Sequence, residues 1–174
     1  VIDPVVQLAT DRLWMQAALD EAAAAGAAGE VPVGCVVVHV PTNRIVGRGQ
    51  NVRERQNDPT GHAEIVAIRT AGETLASWRL IDCCVYVTLE PCPMCAGAIV
   101  NARAARLVYS APDPKAGAVD TLYRLCNDPR LNHRLEVTAG VMVDESVDLL
   151  QSFFRLRRAA VKNSGPAAPP LQPL

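Results

Sequence analysis

The stretch "CCVYVTLEPCPMCAGAIVNARA", residues 83 to 104, constrains the fold more than any other part of the chain. Its first part, Cys83 to Leu89, is rich in β-branched, aromatic and small apolar residues and reads as a strand. A proline-marked turn follows, and then a run of good helix formers. A strand that runs directly into a helix is the building unit of an α/β domain. It places whatever the turn carries at the carboxyl edge of the sheet, where α/β sites are usually built. Here the turn carries Cys92 and Cys95.

The alternation continues in both directions. Thr10 or Asp11 is expected to cap a helix through "LWMQAALDEAAAAG", which Gly26 and Gly29 help to end. "VGCVVVHV" reads as a buried strand, and "RIVGRGQN" as its antiparallel partner across a turn at Pro41, Thr42 and Asn43. After "DPTG", a turn and cap signal, "HAEIVAIRTAGETLA" sets Ile65, Ile68 and Leu75 near one face of a helix. "RLVYS", a short helix around "DTLYRLC", the strand "LEVTAGVM" and a last helix "ESVDLLQSFFRLRRAAV" complete the pattern, with no internal repeat. The expected fold is a three-layer α/β/α domain over residues 1–160, with about five strands in a mixed sheet and helices on both faces. Residues 161–174, with "NSGPAAPPLQPL", are too rich in proline and alanine to add to a core and are expected to be a disordered tail.

With 174 residues, 49% hydrophobic and 20% charged, the chain is large enough to bury a proper core without cross-links. Asp20, Glu21 and Glu30 interrupt the alanine-rich stretch, so no run approaches the roughly 20 apolar residues that span a bilayer. A net charge of -1 argues against a general nucleic-acid coat and leaves room only for a local basic patch. Cys35, Cys83, Cys84, Cys92, Cys95 and Cys126 lack small-scaffold disulfide spacing, and no charged-then-apolar leader opens the sequence. These features predict a cytoplasmic, reducing setting, in which clustered thiols mean metal or catalysis more often than cross-links.

At a helix start, Cys92 and Cys95 face the same way, and the positive helix end favours the metal-binding thiolate. A bare C-x-x-C is also made by zinc knuckles, redox pairs and chance, so the other half of the site decides. His62 opens another helix, with Glu64 two residues on. Two strands ending on one side would bring His62, Cys92 and Cys95 together as a Cys2His set, which balances the charge of Zn²⁺ and leaves a tetrahedral position open. Glu64 beside it suits a general base. Taken singly, His62 is an ordinary solvated cap and Glu64 a first-turn carboxylate suited to the helix dipole. A closed structural zinc also stays open, with Cys35, Cys83, Cys84, Cys126, His39 or His133 as fourth ligand. Against it, Cys83 and Cys84 are adjacent on a strand and point to opposite faces.

H-x-E combined with P-C-x-x-C is the known signature of zinc nucleobase deaminases, adenine-acting ones included, and this chain carries both. The segments "EVPVGCVVV", "NDPTGHAEIVAIR", "WRLIDCCVYVTLEPCPMCAGAIVNAR", "LVYSAPDPKAGAV", "LNHRLEV" and "LLQSFFRLRR" extend the likeness. Over about residues 10 to 160 the chain resembles the bacterial tRNA-specific adenosine deaminases of the cytidine and deoxycytidylate deaminase zinc-dependent superfamily. Gly61 stands where members often have alanine. The resemblance implies a cytidine-deaminase-like fold, a homodimer, one zinc per chain on His62, Cys92 and Cys95, and Glu64 as proton shuttle. It implies hydrolytic conversion of adenosine to inosine at the wobble position of a tRNA anticodon. Asn51 would then hydrogen-bond the purine and Ala63 would offer backbone contacts, whereas Asp58 and Thr60 are assigned to capping.

Two other readings compete. Purine-base deaminases acting on free guanine also carry "HAE" and "PCPMC". A zinc-stapled interaction module without catalysis would use the same ligands but has no need of Glu64. The basic, aromatic end of the last helix, Phe154, Arg155, Arg157 and Arg158, suits phosphates and stacked bases and favours RNA. An arginine-rich last turn also simply complements the negative helix terminus.

Overall fold

The computed structural model describes residues 3–163. Five strands form one sheet in the order β2-β1-β3-β4-β5. They are β1 (Gly34–His39), β2 (Arg44–Gln50), β3 (Cys83–Leu89), β4 (Arg106–Ala111) and β5 (Glu136–Ala139). β1 is antiparallel to both β2 and β3, whereas β3, β4 and β5 are mutually parallel. The mixed sheet expected from the sequence is therefore present. Since β2 and β3 both oppose β1, they run in the same direction and end at the same edge.

Alternating residues of the strands feed two cores. On one face Cys35, Val37, Cys83, Val85 and Val87 meet α3 (Ala63–Leu75) and α4 (Pro93–Asn101). On the other, Val36, Val38, Cys84 and Tyr86 meet α1 (Pro4–Ala27), with Leu149 of α5 (Val143–Asn163) against the same cluster. Cys83 and Cys84 do point to opposite faces, and with Cys35 and Cys126 they are buried. The remaining helix, α2 (Arg53–Gln56), is a single turn between β2 and α3.

Four local expectations change. α1 begins seven residues before Asp11, because Asp3 Oδ1 accepts from Val5 N at 2.8 Å and Pro4 occupies the first helical position. Asp11 is instead 2% exposed and belongs to an ion network, discussed below. The face of α3 against the sheet is made by Ala63, Ala67 and Ala71, while Ile68 and Leu75 pack at its margin. This close approach needs glycine opposite: a Cβ on Gly49 would collide with Ala63 O and Ala67 N. Around "DTLYRLC" only the 3-10 turn Leu125–Asn127 forms, and β5 is confined to Glu136–Ala139. At the carboxyl end α5 continues to Asn163, past the expected domain boundary at residue 160. The rest of the expected tail lies outside the described residues. No helix among the described residues is long and apolar enough to cross a membrane.

Candidate active site

The shared edge of β2 and β3 brings the starts of α3 and α4 together. His62 is the N-cap residue of α3 and Cys92 that of α4, each in extended backbone conformation and neither making a side-chain cap bond. Their side chains are thus left for other work. Pro93 follows Cys92 at the first helical position, and Cys95 sits within the first turn, buried.

His62 Nδ1 lies 3.7 Å from Cys92 Sγ and 3.6 Å from Cys95 Sγ. Zinc bonds of about 2.3 Å to sulfur and 2.0–2.1 Å to nitrogen at tetrahedral angles put the two ligand atoms about 3.6 Å apart. The donor set therefore has the right elements at the right separation for zinc. Among the described residues no further His, Cys, Asp or Glu joins this group. His39 Nδ1 is instead 2.9 Å from Thr42 Oγ1, and His133 Nε2 is 2.7 Å from Ala104 O. The closed structural site thus lacks a fourth protein ligand among the described residues.

A hydrogen bond from Cys95, supported by His62, holds the Cys92 thiol down at about 4. The same bond and burial push Cys95 upward. The Cys92 contact in turn raises His62. Glu64 is 3% exposed and its Oε2 has no hydrogen-bond partner. Burial raises its pKa, and the charges of His62 and Cys92 act on it. A carboxylate left this way, next to a metal-ligand set, is poised to exchange protons with a substrate.

Asn51 is 7% exposed and bridges two segments. Its Nδ2 donates to Val31 O at 3.1 Å, and its Oδ1 accepts from Ala63 N at 3.1 Å. The Ala63 amide is thus already engaged by Asn51. Asp58 Oδ1 accepts from Thr60 N and Thr60 Oγ1 at 2.8 and 2.7 Å, closing a turn before His62 instead of capping α3 itself.

The basic end of α5 divides. Arg157 donates to Gly29 O at 3.0 Å and lies over the Phe153 ring at 5.7 Å, so it staples α5 to the turn after α1. Arg155 reaches Ser152 at 3.1 Å, whereas Phe154, Arg155 and Arg158 stay at the surface.

Two buried carboxylates near this edge escaped the sequence reading. Glu30 is 1% exposed and accepts from the amides of Glu54 and Arg55 at 3.2 and 2.8 Å, holding α2 in place. Glu90 is 2% exposed and gathers the loop after β4. Burial works against its charge, but bonds from Asp120, Thr121 and Asp113 outweigh it and hold its carboxyl low. Apart from the Thr121 hydroxyl on Glu90, their partners are backbone amides, which leave no residue-type signal in a sequence.

Residues 8–111 match the family model of the cytidine and deoxycytidylate deaminase zinc-binding region. The tRNA-specific adenosine deaminase of Haemophilus influenzae is 45% identical over 152 residues, which cover 87% of each chain. A solved structure from work on tRNA deaminases that perform A-to-I editing at the wobble position of transfer RNA superposes with a TM-score of 0.75 at 45% identity. It covers 79% of this chain and 98% of that one. The guanine deaminase of Nitrosomonas europaea reaches a TM-score of 0.69 at 22% identity, over 88% of this chain and 85% of that one, and shows a shared fold alone. With its zinc-binding region matched and near-full-length relatives at this identity, the chain belongs to the tRNA-specific adenosine deaminase family, within the cytidine and deoxycytidylate deaminase fold.

Proposed function

We propose that this protein hydrolyses adenosine to inosine at the wobble position of a tRNA anticodon, with His62, Cys92 and Cys95 holding one zinc and Glu64 moving the protons. The observation that carries the reading is the pairing of two features at one sheet edge. Three ligand atoms stand at zinc spacing, and a buried Glu64 oxygen without a partner lies beside them.

The zinc, when bound, supplies a Lewis acid that lowers the pKa of a water to about 7. The net change is addition of water at C6 of adenine and loss of the exocyclic amine as ammonia. Glu64 accepts a proton from the incoming water and delivers it to N1, then takes the proton of the new C6 hydroxyl and passes it to the departing amine, which leaves as ammonia while C6=O forms. Its burial keeps bulk water from competing for those protons. Asn51 pins the start of α3 through Ala63 and holds a second amide hydrogen available to the purine.

The target base must leave its stack to reach this pocket, so grip on neighbouring nucleotides has to come from outside the ligand set. Phe154, Arg155 and Arg158, exposed on α5, suit that task, with Arg157 fixing the helix that presents them. Family likeness supports a homodimer and a cytoplasmic setting. Nucleoside mass spectrometry of an anticodon stem-loop incubated with the zinc-loaded protein tests the reading. Inosine at the wobble position is the expected product. Robust turnover of free guanine with no inosine in the RNA would transfer the protein to the purine-base deaminases. A protein that binds zinc and unfolds on its removal, with no turnover of either substrate, would be the stapled module instead.

A further inference from the structure

β4 ends beside β3, with Leu89 paired to Ala111, so the loop that follows β4 starts next to the turn carrying Cys92. Two backbone bonds tie them: Glu90 N donates to Ala111 O and Ala118 N to Pro91 O, both at 2.8 Å. Tyr109 OH donates to Asp120 Oδ2 at 2.8 Å, and Ala118 and Val119 pack into the core. The largest set of hydrogen bonds on this loop runs through one further side chain. Glu90 Oε1 accepts from the amides of Val119, Asp120 and Thr121 at 3.1, 2.8 and 3.0 Å. Oε2 accepts from the amide of Asp113 at 3.0 Å and from the Thr121 hydroxyl. A Cβ on Gly117 would collide with the Glu90 carboxylate, so the loop closes tightly around it. Five donors on one buried carboxylate form a closed charge-assisted network. None of them belongs to the ligand set.

We propose that Glu90 is a positioning residue: it fixes the loop from Asp113 to Thr121 as a wall of the RNA site, coupling it to the ligand turn two residues on. This rests on the tRNA deaminase reading. A wall of this kind contributes binding that is equal in ground and transition states, so loosening it raises KM more than it lowers kcat. Glu90→Gln keeps the shape but turns an NH2 toward the Asp113 amide or toward the three amides on Oε1. Thr121→Val removes only the hydroxyl contact.

Both variants, as full zinc-loaded chains, are to be compared with wild type on an anticodon stem-loop bearing a wobble adenosine. Amide hydrogen exchange is followed over residues 113–121. For Glu90→Gln we expect one zinc per chain, faster exchange confined to that loop, and a KM raised at least about tenfold with kcat changed less than about threefold. Thr121→Val should move both readouts the same way by less, and it carries the test if Glu90→Gln does not fold. Faster exchange with an unchanged KM would show that the loop is no part of the RNA site. Unchanged exchange would show that Glu90 does not hold it, and lost zinc would make Glu90 part of the metal centre; each overturns the proposal. Failure of the wild type to form inosine is a separate result, and counts against the deaminase reading itself.

Discussion

Glu64 and Asp11 are 3% and 2% exposed and lie on opposite faces of one sheet, yet their surroundings differ in every other respect. Asp11 takes a two-pronged contact from Arg106 at 2.7 and 2.8 Å, plus bonds from Tyr86 OH and Gln7 Nε2, both at 3.0 Å. Arg106 is itself held by Thr138 at 2.7 Å and by Glu136 at 3.3 Å. Burial opposes the charge on Asp11, but the Arg106 contacts prevail and its pKa is lowered. At Glu64 burial prevails, and one oxygen has no partner. Depth alone therefore does not decide what a buried carboxylate does. A full set of fixed partners makes Asp11 a strut between α1, β3 and β4, whereas an unpartnered oxygen leaves Glu64 open to the proton-transfer role proposed for it.

The comparison can be broken most sharply at the ligands that give Glu64 its setting. Cys92→Ser and Cys95→Ser should each lose most bound zinc and nearly all turnover. Metal analysis showing full zinc in both would remove the site.

Next in size is Glu64→Ala. Turnover should fall by at least roughly 100-fold, the lower end of what a positioned acid or base supplies, with zinc content and thermal midpoint retained. A drop in zinc would instead make Glu64 a ligand.

Asp11→Ala should do the reverse. Arg106, with its side chain 14% exposed, would be left without its main partner. Unfolding free energy should fall by about 3 kcal/mol, the low end for a broken buried pair because Glu136 and Thr138 remain. Folded enzyme should keep its kcat within a few-fold. Denaturant titration and kinetics on the same sample separate the two effects, and an unchanged stability would end the contrast with Glu64.

A pH series sharpens the point. Because the folded pKa of Asp11 lies below the ordinary 3.8, its stabilisation is fully present above that value and is lost as pH falls through the lowered folded pKa. The stability gap between wild type and Asp11→Asn should stay flat from about pH 7 to 5 and close only below about pH 4. A gap that closes near neutrality would assign the effect to another group.

The smallest effects belong to α5. Arg158→Ala should weaken RNA turnover several-fold and flatten its logarithmic salt dependence by about one unit, with zinc and stability unchanged. Arg157→Ala should do so too and also cost about 0.5–1.5 kcal/mol of stability through its lost bond to Gly29. Equal stability of the two variants would show that the staple contributes nothing.

How much of this was legible in the sequence depended on how local the physics is. Side-chain periodicity and turn chemistry act within a few residues, so the five strands, their alternation with helices and the mixed sheet could be read directly. So could the candidate zinc ligands Cys92, Cys95 and His62, because helix-start placement and residue type carry their own signal. The short helix around "DTLYRLC" was misread for the same reason in reverse: its backbone is occupied by Glu90, about 30 residues upstream, and by Ala118. Asp11 looked like a helix cap because its partners, Tyr86 and Arg106, are 75 and 95 residues away.

By itself, then, the sequence determined which elements form, which residue types could hold zinc, and which carboxylate could move a proton, since each follows from chemistry along a short stretch of chain. Only the tertiary structure decided that His62 Nδ1 stands 3.7 and 3.6 Å from the two sulfurs, and that one Glu64 oxygen lacks a partner where Asp11 has several. It also decided that Glu30 and Glu90 hold the flanking segments. Those outcomes depend on where β2 and β3 end and on backbone amides meeting distant carboxylates. Amides are the same at every position but proline, so no spacing in the sequence announces them.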